Sequence, residues 1–224
     1  MLHATWHVSS SVPPTLRARS LRPWYVMASL VLVLLMGVRG LGSGCGTAVF
    51  LREGKVPDVA AVAEQARGGD PFEFTFQVIE AAQATAMAAH RHLTFPLGVG
   101  RMLLGGLLLV AAFLALNGRP GSRSLALQAI GATAVFCAVE YALTREVRGV
   151  WIDLVVRAGA LLPEGAPERQ SVTSAALWWT AERVRVALFE LGTLGLAAVA
   201  LTRERARLWF EAVAAATEEE TEEP

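Results

Sequence analysis

Residues 97–143 read LGVGRMLLGGLLLVAAFLALNGRPGSRSLALQAIGATAVFCAVEYAL, and they decide the fold class. Leu97 to Leu116 is an apolar run of 20 residues with one charge, Arg101, and Ser124 to Leu143 is a second run of the same length carrying Gln128 and Glu140. Wound as a helix, 20 residues measure about 30 Å, the thickness of the hydrocarbon core of a bilayer. Backbone N–H and C=O groups find no water there, so a spanning segment satisfies its hydrogen bonds internally as a helix. Pro96 stands where a first-turn proline is tolerated, and Asn117-Gly118-Arg119-Pro120-Gly121 breaks the chain between the two runs. The seven residues 117–123 leave room for an antiparallel helical hairpin.

Outward from this hairpin, Trp24 to Val38 (WYVMASLVLVLLMGV) is a third apolar run, extended past Arg39 through GLGSGCG to Gly46. Val186 to Thr202 (VALFELGTLGLAAVALT) is the fourth and shortest, with Glu190 inside it. The expected fold is an all-α polytopic membrane protein, a four-transmembrane-helix bundle with spans at 23–46, 97–116, 124–144 and 183–202. Two helical extracytoplasmic segments, 47–96 and 145–182, alternate with a tail at 1–22, a turn at 117–123, and a helix extension with an acidic tail at 203–224. Composition agrees: 224 residues at 54% hydrophobic and 18% charged, with a mean hydropathy of +0.43, are too apolar for an ordinary soluble domain and exclude a disordered or collagen-like chain. Net charge is zero, so nucleic acid is not an expected partner. Lys55 stands against 19 arginines in a chain rich in Ala, Gly, Val and Leu, a bias that suits a high-GC bacterial genome and a bacterial cytoplasmic membrane.

Orientation follows from Lys and Arg close to the spans. Arg17, Arg19 and Arg22, then Arg119 and Arg123, then Arg203, Arg205 and Arg207 crowd three of the ends, which places both termini in the cytoplasm. The long connections carry four Lys/Arg each, more thinly spread. Trp24, Tyr25, Trp178, Trp179 and Trp209 fall near the expected interfaces, as aromatic belts do.

The connections themselves read as helices. Asp70-Pro71-Phe72-Glu73 has the form of a capping box before an alanine-rich helix reaching Leu93, and a shorter helix from about Asp58 to Arg67 ends at Gly68-Gly69. Val147, Val150, Trp151, Leu154, Val155, Ala158 and Leu161 recur at helical spacing, with Arg148, Asp153 and Arg157 elsewhere on the wheel, before the stop at Pro163-Glu164-Gly165-Ala166-Pro167. The fourth span is expected to run on to about Ala216, with Glu218 to Glu223 a solvated, disordered acidic tail.

Four charges fall within the spans. At 1.5 Å per residue Arg39 lies roughly 24 Å from the cytoplasmic start of its span, Glu140 about 24 Å, Glu190 about 18 Å, and Arg101 roughly 6 Å below the outer surface. Glu190, Glu140, Arg39 and Arg101 therefore form an expected intramembrane polar cluster in the outer half of the bilayer, where pairing offsets an insertion cost of roughly 2.5–3.5 kcal/mol per midplane charge. The cluster reads either as structural pairing with snorkelling arginines or as a relay or ligand pocket. His90 and His92, two apart on a helix, point roughly 200° away from each other and make no expected metal site. No GxSxG, HExxH or CxxC occurs, so no enzymatic activity, catalytic residue or cofactor is expected. Gly40/Gly44, Gly42/Gly46 and Ala134/Ala138/Ala142 have small-xxx-small spacing, which reads as packing between spans ahead of homodimer contact.

Leu41-Gly42-Ser43-Gly44-Cys45, after an arginine-flanked apolar core, resembles a bacterial lipoprotein signal, which would imply a lipid on Cys45. It departs from that pattern in placing leucine four residues before the cysteine, with Gly42 in its stead, and in carrying Arg39; lipidation is the less expected outcome. The functional expectation is a non-enzymatic assembly, scaffold or sensor subunit, with membrane or envelope proteins or a second copy as partner. The alternative is a small transporter or channel subunit using Glu190 and Glu140 with Arg39 and Arg101. The topology makes a direct prediction: in intact cells a membrane-impermeant thiol reagent labels Thr85→Cys and spares Gly121→Cys, and the opposite pattern reverses the orientation.

Overall fold

A computed structural model describes residues 23–66, 69–162, 165 and 167–222. The tail with Arg17, Arg19 and Arg22, the stop residues Arg67 and Gly68, linker residues Pro163, Glu164 and Ala166, and Glu223 lie outside them. The described chain is all-helical: α1 (Trp24–Glu53), α2 (Val59–Ala66), α3 (Pro71–Ala89), α4 (Arg91–Leu116), α5 (Ser122–Leu143), α6 (Arg145–Gly159), α7 (Pro167–Val172), α8 (Ala175–Val184), a π-helical segment (Arg185–Gly192), α9 (Thr193–Thr202) and α10 (Glu204–Glu222). Four helices, α1, α4, α5 and the continuous Ala175–Thr202, are long and apolar enough to cross a membrane. In each only 28% of the most apolar window is buried inside the protein. Residues such as Leu103, Phe113, Val135 and Leu196 present the rest outward, as lipid-facing side chains do. The chain is a multi-pass membrane protein.

Several helix ends differ from the sequence expectation. α1 passes through Gly46 without a break and stops at Gly54, whose left-handed φ of 71° lets its N–H return to Phe50 O. α4 begins at Arg91, so Pro96 lies inside the helix and does not open it. Only the bond that its nitrogen would give to His92 O is lost, one turn from the helix start, where the penalty is small. α3 ends at Ala89, short of Leu93, because His90 (φ −113°, ψ 37°) breaks the helix. Asp70 and Pro71 occupy their expected first-turn positions, yet the capping box does not close: Glu73 instead accepts from Gln77 Nε2 at 3.0 Å. α2 begins as read, with the Asp58 carboxylate accepting from Ala60 N–H at 2.9 Å.

The fourth span does not run on to Ala216. The backbone turns at Arg203 (ψ 143°) and a separate helix, α10, follows. Ala206, Trp209, Phe210, Val213 and Ala216 sit at spacings of three and four and are all buried, so α10 has an apolar stripe to cover. Trp209 therefore belongs to the core and not to an aromatic belt. The acidic stretch Glu218–Glu222 is helical, which corrects the disordered tail that the sequence predicts there.

Two cores result. The first gathers Val26, Leu30 and Val33 of α1, Leu108 and Ala112 of α4, Ala126 and Ile130 of α5, Leu194 and Leu201 of α9, and the buried stripe of α10. The second gathers Val59 and Ala63 of α2, Phe74, Val78 and Ala82 of α3, and Val147, Trp151 and Val155 of α6. This second layer is here called the cap. Single-residue junctions join it to the spans, His90 between α3 and α4 and Thr144 between α5 and α6.

The tightest contact is α1 against α4. A Cβ on Gly44 would lie 2.5 Å from Gly98 O and 2.6 Å from Met102 N, and one on Gly105 would strike the backbone of Gly40 and Leu41. Gly42 and Gly46 face open space. The small-residue pattern thus divides, with Gly37, Gly40 and Gly44 packed inside the protein and the other pair outside. Gly44→Leu or Gly105→Leu should force the two helices apart and cost about 1–3 kcal/mol or more, whereas Gly42→Leu should change stability by less than ~0.5 kcal/mol; thermal unfolding in lipid nanodiscs checks both.

Candidate functional site

Between the spans and the cap lies a cavity of about 390 Å³. Arg39 and Thr47 of α1, Gln83 and Met87 of α3, Arg101 of α4, Cys137 and Glu140 of α5, Arg148 and Trp151 of α6, Glu182 of α8, and Arg185 and Glu190 of the π segment all line it. The four residues of the expected polar cluster, Glu190, Glu140, Arg39 and Arg101, thus share one wall. Four arginines face three glutamates, a formal excess of one positive charge.

Local geometry places each charge. Arg101 and Glu140 meet across the α4–α5 hairpin, Nη2 donating to Oε2 at 2.6 Å and Nε at 3.2 Å. Arg185 clamps two carboxylates, donating through Nε and Nη2 to Glu182 at 3.0–3.3 Å and through Nη1 to Glu190 Oε1 at 2.6 Å. Glu190 is buried, and its partner is Arg185 of its own helix, where pairing with arginines of other spans was expected.

The reason lies in the winding. In an α-helix a residue five positions on points roughly 140° away. Arg185–Gly192 is wound as a π-helix, whose i→i+5 hydrogen bonds bring residue i+5 close beneath residue i. The wider winding puts Arg185 and Glu190 on one face, and the ion pair offsets part of the cost of the rarer backbone.

Arg148 was placed by its sequence on the polar side of its helix. The structure buries it at 7% exposure. It lies one turn before Ile152 and two before Val155, both buried, and that register was the available signal. Its guanidinium stacks on the Tyr141 ring at 3.9 Å, Nη1 donates to Thr144 Oγ1 at 2.7 Å and Nη2 to Tyr141 O. Nε has no partner among the described residues, and no carboxylate stands within ion-pair distance there. Burial pulls this guanidinium below the ordinary arginine range. Arg39, exposed on α1, likewise makes no ion pair among the described residues.

A second cavity of about 50 Å³ lies on the other side of Arg39, Arg101, Cys137 and Glu190, where Met36, Leu104, Leu108 and Phe136 take over the lining. Beyond it comes the first core, with Leu30, Val33, Leu108 and Leu194 almost fully buried. Both cysteines are free thiols, Cys45 exposed and Cys137 buried. Cys45 sits within the unbroken α1, and signal cleavage before it would remove Gly37 and Gly40 from their packing against α4. Among the described residues no three His, Cys, Asp or Glu side chains stand close enough to share a metal ion.

Compared with protein-family profiles, with curated proteins and with solved structures, the chain matches none of them. Arg185→Gln should leave Glu182 and Glu190 uncompensated and cost roughly 2–4 kcal/mol, somewhat below the usual cost of breaking a buried pair because Arg185 is partly exposed. Adding Glu190→Gln should recover part of that loss; denaturation of single and double variants in nanodiscs checks it.

Proposed function

We propose that the protein is a non-enzymatic sensor subunit of a bacterial cytoplasmic membrane, which receives a small ligand in the cavity between its spans and its cap. In this reading both termini are cytoplasmic and the cap is extracytoplasmic, because arginines crowd the hairpin turn and the exit of the last span. The observation that carries the proposal is a cavity of about 390 Å³, within the size range of small-molecule sites. Charged groups and both structural layers bound it, while the apolar first core lies toward the hairpin turn. A ligand there touches α1, α4, α5, the fourth span, α3 and α6 together. Its binding energy is thus available to shift the cap against the spans, and α10, packed against the same core, carries such a shift to a partner protein.

The cavity's position beside Glu190 also favours a second reading, a proton or ion path through Glu190 and Glu140 with Arg39 and Arg101. That path requires polar continuity past Glu190, where the lining turns apolar. The two readings separate in a cysteine-free background (Cys45→Ser, Cys137→Ser). Thr47→Cys, on the cavity wall, should react with an impermeant thiol reagent from the cap side only, and Thr133→Cys, below it, from neither side. Labelling of Thr47→Cys from both sides, together with a proton flux in liposomes that Glu190→Gln abolishes, would replace the sensor reading by the transport one.

A further inference from the structure

We infer that the cavity's ligand is an organic monocarboxylate, its oxyanion paired with Arg148 and its apolar body lying against Trp151 and its neighbours. The inference rests on the one-sided ligand cavity proposed above and names what fills it.

Charge comes first. The lining carries one positive charge in excess. Arg101 is matched by Glu140, whereas Arg185 meets both Glu182 and Glu190 and leaves that clamp one negative charge in surplus. Arg148 and Arg39, which make no ion pair among the described residues, carry two positive charges, one more than the surplus of the clamp. Arg39 is exposed. Arg148 is 7% exposed, its direct partners are a hydroxyl, a carbonyl and aromatic faces, and the carboxylates of Glu182 and Glu140 act on it only from beyond ion-pair distance. A buried cation held by neutral partners carries a desolvation cost that a bound anion relieves.

Donor geometry comes second. A guanidinium has five N–H donors in a planar fork. Two are used, by Thr144 Oγ1 and Tyr141 O; Nε–H has no partner among the described residues but is itself sealed from the cavity, which leaves the second hydrogens of Nη1 and Nη2 for a ligand. A fork with free donors suits the two oxygens of a carboxylate. The stack on Tyr141 and the bond to Thr144, which is itself the α5–α6 junction, fix its plane, so the receptor is preorganised.

The rest of the wall selects the body of the ligand. Met87, Val147, Trp151 and Val186 supply apolar surface beside Arg148. One net positive charge calls for one negative charge, and a strongly hydrated inorganic dianion gains nothing from that surface. Such a carboxylate reaches the cavity either from water, as a short-chain or aromatic acid, or from the bilayer, as a fatty acid.

The full chain in nanodiscs is titrated with sodium acetate, hexanoate, benzoate, decanoate, inorganic phosphate and the neutral hexanamide, reading calorimetric affinity and unfolding temperature. Hexanoate, benzoate or decanoate should bind and raise the unfolding temperature, at least tenfold more tightly than hexanamide or phosphate. Affinity that peaks at hexanoate or benzoate marks an aqueous source; affinity that rises to decanoate, with long-chain acid in a lipid extract of the purified protein, marks the bilayer. Arg148→Gln should weaken binding at least tenfold and Arg148→Lys less. Arg39→Gln, at an exposed position that leaves folding intact, should weaken it two- to fivefold. Arg157→Gln, whose arginine pairs with Asp153 on the exposed side of α6, should bind as wild type.

Equal binding of hexanamide and hexanoate, preference for phosphate, or no binding at all overturns the inference. If Thr47→Cys is labelled from the cap side and no carboxylate binds, only the ligand class falls. If Thr47→Cys is unreachable, the cavity reading falls with it.

Discussion

Charge burial in a low-dielectric interior is the constraint around which the rest of the structure is arranged. Seven charged side chains converge where the spans meet the cap, and a charge withdrawn from water there without a partner is costly. The Arg101–Glu140 bond links α4 to α5 across the hairpin, and the Arg185 clamp holds two turns of the fourth span together. Arg148 and Arg39 are the members without a carboxylate partner among the described residues, and Arg148 is held instead by Tyr141 and Thr144.

Apolar packing delivers these groups to one place. The glycine contact between α1 and α4 brings their backbones close enough that Arg39 and Arg101 share a wall. His90 and Thr144 each break a helix for a single residue, so α3 and α6 join α4 and α5 without an intervening loop. Thr94 stabilises the first junction by donating to Met87 O and His90 O, and Thr144 the second by donating to Glu140 O at 2.6 Å. At the opposite end the apolar stripe of α10 packs into the first core, and the Arg123 guanidinium caps α9 by donating to Leu201 O at 2.9 Å.

Much of this was legible in the sequence, because span length and apolarity are properties of single segments. The four spans, the hairpin at 117–123 and the helical connections follow from run lengths and breakers, and the depth arithmetic brought Arg39, Arg101, Glu140 and Glu190 to one level. Features that depend on two segments at once were not legible. Glu190 pairs within its own helix because residues 185–192 adopt π winding, which no local propensity announces. Arg148 reads as a polar-face residue until the cap is seen to close over it, and Trp209 reads as an interfacial anchor until the turn at Arg203 folds α10 back onto the spans.

The central claim is that charges from different helices are energetically joined in this layer. A double-mutant cycle on Arg101→Gln and Glu140→Gln, with stability measured by reversible unfolding in lipid nanodiscs, tests it most directly, since the two residues lie on separate spans. A coupling energy of roughly 1–3 kcal/mol, with the double variant more stable than the worse single one, is the expected result. Additive losses would contradict the account, because they would mean that the two groups are solvated independently and that no joined charge layer ties the spans together.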